Sequence, residues 1–536
     1  MALQVIYHDV VCSAVVFLVA LPFFRFIIYP VLFSPLAKIP KAHWSCAVSP
    51  IWILWVRYTS KENRTIGNAH RRYGPIVRLA PYEVSINDME SVKTVYQGGF
   101  DKHQWYSVFN NYGVPNMFAS IYAKHHSIRK RMVSHVYSKS YLHSSAALAA
   151  QAEVILNDRV LPILDATSRE GQELQGIDVH SLFAAVAMDF ISAYCFGLGN
   201  SPSFVQQKTY RDYWQGLYRA RKGYSFFSQE LPLLSRVSSS IGLHLTPVNV
   251  DAANRELEKW CGKLCAATLD SLQVSGNKSQ APADHPVVIS ALSSGLDKEE
   301  ITRGKESLIF STAISQRNLT ISSEIFDHLL AGQETTGVAL TYLSWHLSRS
   351  LDLQHQLRDE LLSLTPNMSM EGDKVTIPSS GQLDRLLLLH AVIVETVRLY
   401  APAGGPEPRV TPDPSCRIGP YTLPGGVRIS ASAYNLHREE KCFPHAETWD
   451  HTRWLHDEEK QKEISRQFWG FSSGGRMCLG SNFAMHEMKL LVAAIYTNYT
   501  SHIVDDEGIE PTDGYTSHPT SGQLWLRFER VKPANK

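Results

Sequence analysis

A mainly α-helical fold with small β-sheets near each end of the chain follows from three features of this 536-residue sequence. Residues 148 to 165, LAAQAEVILNDRVLPILD, carry apolar side chains at helical spacing, and patterns of this kind dominate from about residue 140 to 350. Residues 77 to 88, VRLAPYEVSIND, alternate apolar and polar side chains, as a short strand pair does. Between residues 403 and 430, Pro and Gly recur between short β-prone runs such as YTLPGGVRIS, which predicts turns and strands. Within the helical part, AAVAMDFISAYCF, residues 184 to 196, is apolar all round and reads as a buried helix. VSGNKSQAPADHPV, residues 274 to 287, is polar with two prolines and reads as a surface loop. No linker is long and polar enough to divide the chain, so residues 37–536 read as a single folded unit.

Composition narrows the function classes. Apolar residues make up 44% and charged residues 19%, enough to bury a large core. Lys plus Arg number 52 and Asp plus Glu 51, a balance that speaks against nucleic-acid binding. The eight cysteines are scattered, unlike the dense framework of a small secreted domain, and read as reduced thiols in a cytosolic setting. Cys261 and Cys265 form a close pair, but no neighbouring His or Cys completes a zinc site.

Residues 10 to 33, VVCSAVVFLVALPFFRFIIYPVLF, contain one charge, Arg25. As a helix the run would be about 36 Å long, sufficient to cross a bilayer. It is too long for a signal peptide and lacks an adjacent small-residue cleavage site. Lys38 and Lys41 follow it, while His8 and Asp9 precede it, which places the C-terminal flank in the cytoplasm. Residues 1–36 therefore read as a single-pass membrane anchor, in contact with membrane lipid.

The strongest motif is FSSGGRMCLG, residues 471 to 480, which matches F-x-x-G-x-R-x-C-x-G. A helical run, SNFAMHEMKLLVAAIYTNY, follows it, so the loop sets Cys478 at a helix N-terminus, where the dipole favours a thiolate. Upstream, residues 324 to 347 read EIFDHLLAGQETTGVALTYLSWHL. Gly332, Thr335 and Thr336 are poor mid-helix residues and predict a local widening or bulge there. Taken alone, the stretch also fits a buried helix whose threonine hydroxyls bond back to carbonyls. HAVIVETVRLY, residues 390 to 400, places Glu395 and Arg398 three apart on a helix, where they can touch.

In this order and spacing the motifs resemble the cytochrome P450 family, and the resemblance covers nearly the whole chain. It implies a P450-like fold with haem b (iron protoporphyrin IX) between the A-G-Q-E-T-T helix and the cysteine loop. Cys478 would be the axial iron ligand, with Phe471 beside the sulfur, Gly474 and Gly480 allowing sharp turns close to the macrocycle, and Arg476 on a propionate. Glu334 and Thr335 would relay protons during oxygen activation. Glu395, Arg398 and a downstream Arg453, in His451-Thr452-Arg453 rather than the usual Pro-Glu-Arg, would form a buried structural triad.

Where the family carries W-x-x-x-R, this chain has His126 and Lys130, with Arg129 and Arg131 beside them. These residues and Arg409 would contact propionates, and the cations would also form a basic face for the redox partner. The family places pocket walls in residues 100 to 121, 205 to 230, the helix through Phe326 and Leu330, residues 401 to 406, and Thr516 to Thr520.

The expected activity is monooxygenation of a small, largely apolar organic substrate, with electrons from NADPH through NADPH–cytochrome P450 reductase. The expected location is the endoplasmic reticulum membrane with the catalytic domain cytosolic. SPLAKIP after the anchor is similar to fungal microsomal members of secondary metabolism. The alternative is a reductase-independent haem-thiolate isomerase or dehydratase, which has little need for Glu334 and Thr335.

Overall fold

A computed structural model describes residues 17–168, 176–222, 225–275, 281–456 and 458–531. The helices that position the site are α1 (Ala123–Val133), α2 (Val179–Phe196), α3 (Lys208–Lys222), α4 (Arg317–Ser348), α5 (Leu387–Leu399) and α6 (Ser481–Asn498). Among the described residues the strands are β1 (Ile76–Ala80), β2 (Glu83–Ile86), β3 (Ile177–Asp178), β4 (Arg409–Val410), β5 (Ser415–Ile418), β6 (Tyr421–Pro424), β7 (Arg428–Ser430), β8 (Tyr499–Asp505) and β9 (Trp525–Arg530). They form a four-stranded sheet ordered β1-β2-β7-β4, a three-stranded sheet ordered β3-β9-β8, and the β5-β6 hairpin.

Helix α2 forms the centre of the core. Asp178 caps it by accepting hydrogen bonds from the His180 and Ser181 amides. Its apolar side chains pack on α4 and neighbouring helices, so although it is long and apolar enough for a bilayer, it is buried within the protein. Two glycines set how closely α4 approaches it. A Cβ at Gly332 would lie 3.0 Å from Ile191 Cγ1, and one at Gly337 would lie 2.9 Å from the Ala184 backbone. The bulge expected at residues 331–336 is therefore corrected: α4 is a continuous α-helix over its 32 residues. Gly332 serves interhelical contact, and the Thr335 hydroxyl donates to Ala331 O at 2.7 Å, so no backbone defect is needed.

Residues 77 to 88 form the antiparallel β1-β2 pair. β2 then pairs in parallel with β7, Glu83 opposite Arg428 and Val84 opposite Ile429, which joins the two ends of the chain. β4 pairs antiparallel with β7, and an isolated bridge sets Lys102 opposite Arg409. Part of the apolar run at residues 10 to 33, residues 10–16, lies outside the described residues. Its described part, Phe17–Phe33, is an apolar helix whose large side chains are exposed.

A buried ion network ties α5 to the turns before the cysteine loop. Glu395 accepts from Arg398 Nε and Nη2 at 2.8 Å each, Arg453 Nε at 3.4 Å, the Asp450 amide at 2.8 Å and Trp454 Nε1 at 2.9 Å. Arg398 also donates to the carbonyls of His437, Ala446 and Thr448. Glu395 and Arg398 have no solvent-accessible surface, yet every charge has several partners. Removing the carboxylate strands two guanidinium groups. Glu395→Ala is expected to lower unfolding free energy by about 3–5 kcal/mol, read from the denaturant midpoint. A loss near that of a surface pair, about 1 kcal/mol or less, would count against the network.

Candidate active site

The cysteine loop runs from Trp469 to Gly480 and is held from four sides. The Cys478 amide donates to Phe471 O at 2.9 Å, closing the loop on itself. Ser472 Oγ donates to Glu407 Oε2 at 2.9 Å. Arg476 donates to the carbonyls of Ser120 and Ile121 at 2.7 and 2.6 Å. Lys130 Nζ donates to the carbonyls of Gly475 and Met477, both at 3.0 Å. Gly474 has φ +72°, and a Cβ there would lie 2.3 Å from Tyr96 O, so only glycine fits. Gly480 differs: its φ is −84° and a Cβ would meet nothing within 4 Å, so no sharp turn requires glycine there.

His437 connects this loop to the ion network. Trp469 N–H can only donate, and it reaches His437 Nε2 at 2.7 Å, so that nitrogen accepts. The proton is thereby assigned to Nδ1, which donates to Arg398 O at 2.8 Å. Burial, reinforced by the Arg398 and Arg438 charges, depresses the His437 pKa to about 3 and keeps the ring neutral.

Cys478 has solvent-accessible surface, yet the chain around it is dense enough that burial raises its thiol pKa. The two observations agree if the sulfur faces a space inside the protein. The Gly480 amide, the Lys130 charge and the Ser481 amide pull the other way, toward the thiolate. Helix α4 has a matching open strip. Ala331 is exposed, and Asp327, Leu330, Glu334 and Thr335 are partly so, in a helix otherwise largely buried. Tyr137 links the two: its hydroxyl bonds His328 Nδ1 on α4 at 2.9 Å, and its carbonyl accepts from Asn482 Nδ2 at 3.1 Å at the start of α6.

Cations crowd one side of this region. Burial, then the Arg409 and Arg476 charges, depress the Lys102 ammonium well below its ordinary value. Burial, then Arg476, Lys102 and Lys130, push His126 down to about 2. Arg476 is lowered to about 10 by burial and Arg409, and its Nε is buried without a partner. Arg409 is opposed by burial, but Tyr106 and Glu407 more than offset this and raise its pKa. Lys102, Arg409 and Arg476 face the Glu407 carboxylate, with Asp101 near Arg476 and a neutral His126 beside them, and this leaves a positive excess that anionic ligand groups would answer. The thiol donor, the open ground above Gly480 and the cation cluster together suit an iron porphyrin with two propionates.

The structure thus brings Cys478, Gly474, Gly480, Arg476, His126, Lys130 and Arg409 into one neighbourhood. Lys130 holds two loop carbonyls, and one expectation needs correction. Arg129 is buried and pairs with Glu324 at 3.3 Å, so it adds nothing to a basic docking face; Arg131 is the exposed member. Phe471 contacts the Phe468 ring at 6.2 Å. Lys102 and His437 were missed because each is an isolated polar residue whose partners are distant in sequence; Glu407 was missed although it pairs with Arg409 two residues on, since its second partner, Ser472, is distant. Tyr218 lies in the 205 to 230 segment expected to wall the pocket, and its hydroxyl donates to Glu334 Oε2.

A sequence profile described as Cytochrome P450 matches residues 48–525, and the chain belongs to this family of haem-thiolate oxidoreductases. Among its relatives is Cytochrome P450 monooxygenase orf2 of Aspergillus niger, 24% identical, with 91% of each chain covered. Cytochrome P450 monooxygenase aflV of Aspergillus parasiticus is 25% identical over 87% of this chain and 84% of the relative. Cytochrome P450 monooxygenase stcB of Emericella nidulans is 24% identical over 88% and 86%.

Two outcomes are expected. Lys102→Gln removes a cation from the propionate side and should lower the haem-to-protein absorbance ratio after purification; an unchanged ratio together with unchanged haem loss on heating would remove Lys102 from the site. The buried neutral His437 gives a second. Its folded pKa of about 3 lies below the ordinary 6.5, so its contribution to stability is complete above pH 6.5 and declines as pH falls toward 3. His437→Asn should flatten the acid limb of stability against pH by up to about one proton.

Proposed function

We propose that the protein is a monooxygenase that inserts one atom of O₂ into a small, largely apolar organic substrate. Electrons would come from NADPH through NADPH–cytochrome P450 reductase. The observation that carries this reading is Cys478 just before α6, whose Asn482 is joined through Tyr137 to α4, the helix that bears the open Ala331–Thr335 strip. When bound, haem b supplies the oxygen-activating chemistry. Cys478 Sγ would bind the iron, with the Gly480 and Ser481 amides and the Lys130 charge favouring its deprotonated form. Arg476, Arg409, His126 and Lys102 would hold the propionates.

Glu334 and Thr335 would handle protons. The Thr335 hydroxyl spends its proton on Ala331 O, which leaves its lone pairs to accept from a water in the cavity. Glu334 accepts from Tyr218 at Oε2, which orients its carboxylate to exchange protons with such a water. The retained pair favours oxygen activation over a reductase-independent isomerase or dehydratase.

Residues 1–36 would anchor residues 37–536, the catalytic domain, to the endoplasmic reticulum membrane as a single pass with that domain cytosolic. The exposed apolar helix Phe17–Phe33 supports this. So do Trp44, Ile51 and Trp55 and, on the 232–243 segment, Leu233, Val237 and Ile241, all more than half exposed. Tyr58 and Phe226, with ring centroids 5.3 Å apart, join the two segments into a surface able to meet lipid. The fungal relatives favour a substrate from secondary metabolism.

The reduced protein under carbon monoxide should show the long-wavelength Soret band of a thiolate-ligated haem, absent in Cys478→Ala. A short-wavelength band in freshly purified protein would sink the ligand assignment. With reductase present, Thr335→Ala should lower product formation by about 10²-fold while NADPH oxidation continues; turnover without NADPH would favour the isomerase.

A further inference from the structure

One guanidinium near the end of α3 is only partly answered by its neighbours. Arg221, near the end of α3, is largely buried, and its Nη1 has no hydrogen-bond partner. Its guanidinium lies 5.6 Å from the centroid of the Phe326 ring on α4. Asp327, the next residue, is on the open strip with Leu330, Ala331 and Thr335. Arg221 and Asp327 influence each other electrostatically, yet no hydrogen bond or ion pair joins them. Other carboxylates and cations nearby are already engaged. Glu258 accepts from the Tyr112 amide at 2.7 Å and acts on Arg221 through its charge without a hydrogen bond to it, and Glu324 pairs with Arg129. Lys102 donates to Phe118 O at 2.6 Å and lies over the Tyr106 and Phe118 rings.

A buried N–H of a guanidinium left without an acceptor is costly, so Nη1 suits an anion presented by a ligand. We propose that the substrate carries a carboxylate, which Arg221 receives and Asp327 helps to orient, at the end of the cavity remote from Thr335. This rests on the monooxygenase reading above. Burial and Glu324 raise Asp327 to about 8, so near neutral pH it can donate a hydrogen bond to an incoming carboxylate rather than repel it. Helical rise separates Asp327 from Thr335 by about 12 Å. The acid group is therefore distant from the position oxidised, and the substrate is an elongated, otherwise apolar acid.

Calorimetric titration of the purified holoenzyme with dodecanoic acid and 6-phenylhexanoic acid, each against its methyl ester, tests this. At least one acid should bind about tenfold or more tightly than its ester, the scale of a charge-assisted hydrogen bond. The ratio should fall to within about twofold in Arg221→Gln and be partly kept in Arg221→Lys. Equal affinities for acid and ester in both pairs would overturn the inference, as would an acid preference that survives Arg221→Gln. The heat signal does not depend on haem absorbance, so the carbon monoxide spectrum of the same sample judges the monooxygenase reading separately.

Discussion

Glu395 is a carboxylate that water never reaches, and the geometry of the proximal side of the molecule depends on it. A lone buried anion would be intolerable in a low-dielectric interior, so the chain surrounds it with two guanidinium groups, an indole N–H and a backbone amide. Those donors come from α5 and from residues 450 to 454, which are thereby locked together. Arg398 then spends its remaining donors on the carbonyls of the 437–448 segment. His437 passes the constraint onward, one ring nitrogen to Arg398 O and the other from Trp469 N–H, where the cysteine loop begins. A chain of satisfied buried polar groups therefore sets the position of the residue that presents the thiol.

The cavity is organised by the opposite device, charge left incompletely answered. On the loop side, Lys102, Arg409 and Arg476 outnumber the nearby carboxylates of Glu407 and Asp101. On the far side, Arg221 keeps a buried Nη1 without a hydrogen-bond partner. Both imbalances persist because the scaffold holds each cation by its stem or by other contacts: Arg409 sits on β4, Lys102 is bridged to it, and Arg476 is clamped to the Ser120 and Ile121 carbonyls. A site built this way is prepared for anions at two ends and for apolar matter between them.

Local chemistry made several residues readable in advance. Cys478, Gly474 and Arg476 lie in one short loop whose spacing is distinctive, and Glu395 and Arg398 are neighbours on one helical face. The strand pair expected over residues 77 to 88 from alternation falls at 76 to 86, and the buried helix expected over 184 to 196 from its uniformly apolar surface extends from 179 to 196. Where the reading failed, a local rule met a distant partner. Gly332 looked like a helix defect because its companion, Ile191, sits on another helix. Arg129 looked like part of a basic surface because the Glu324 that draws it inward is nearly two hundred residues away.

The sequence by itself determined the secondary structure, the thiol-bearing loop and the helix partners three or four residues apart, since these depend on short-range sterics and hydrogen bonding. The tertiary structure alone decided the parallel pairing of β2 with β7, the bridge that sets Lys102 beside Arg409, the link through His437, and the approach of Arg221 to Asp327. Each of these joins residues tens to hundreds of positions apart, and their contact depends on how the whole core packs, which no local pattern of residues encodes.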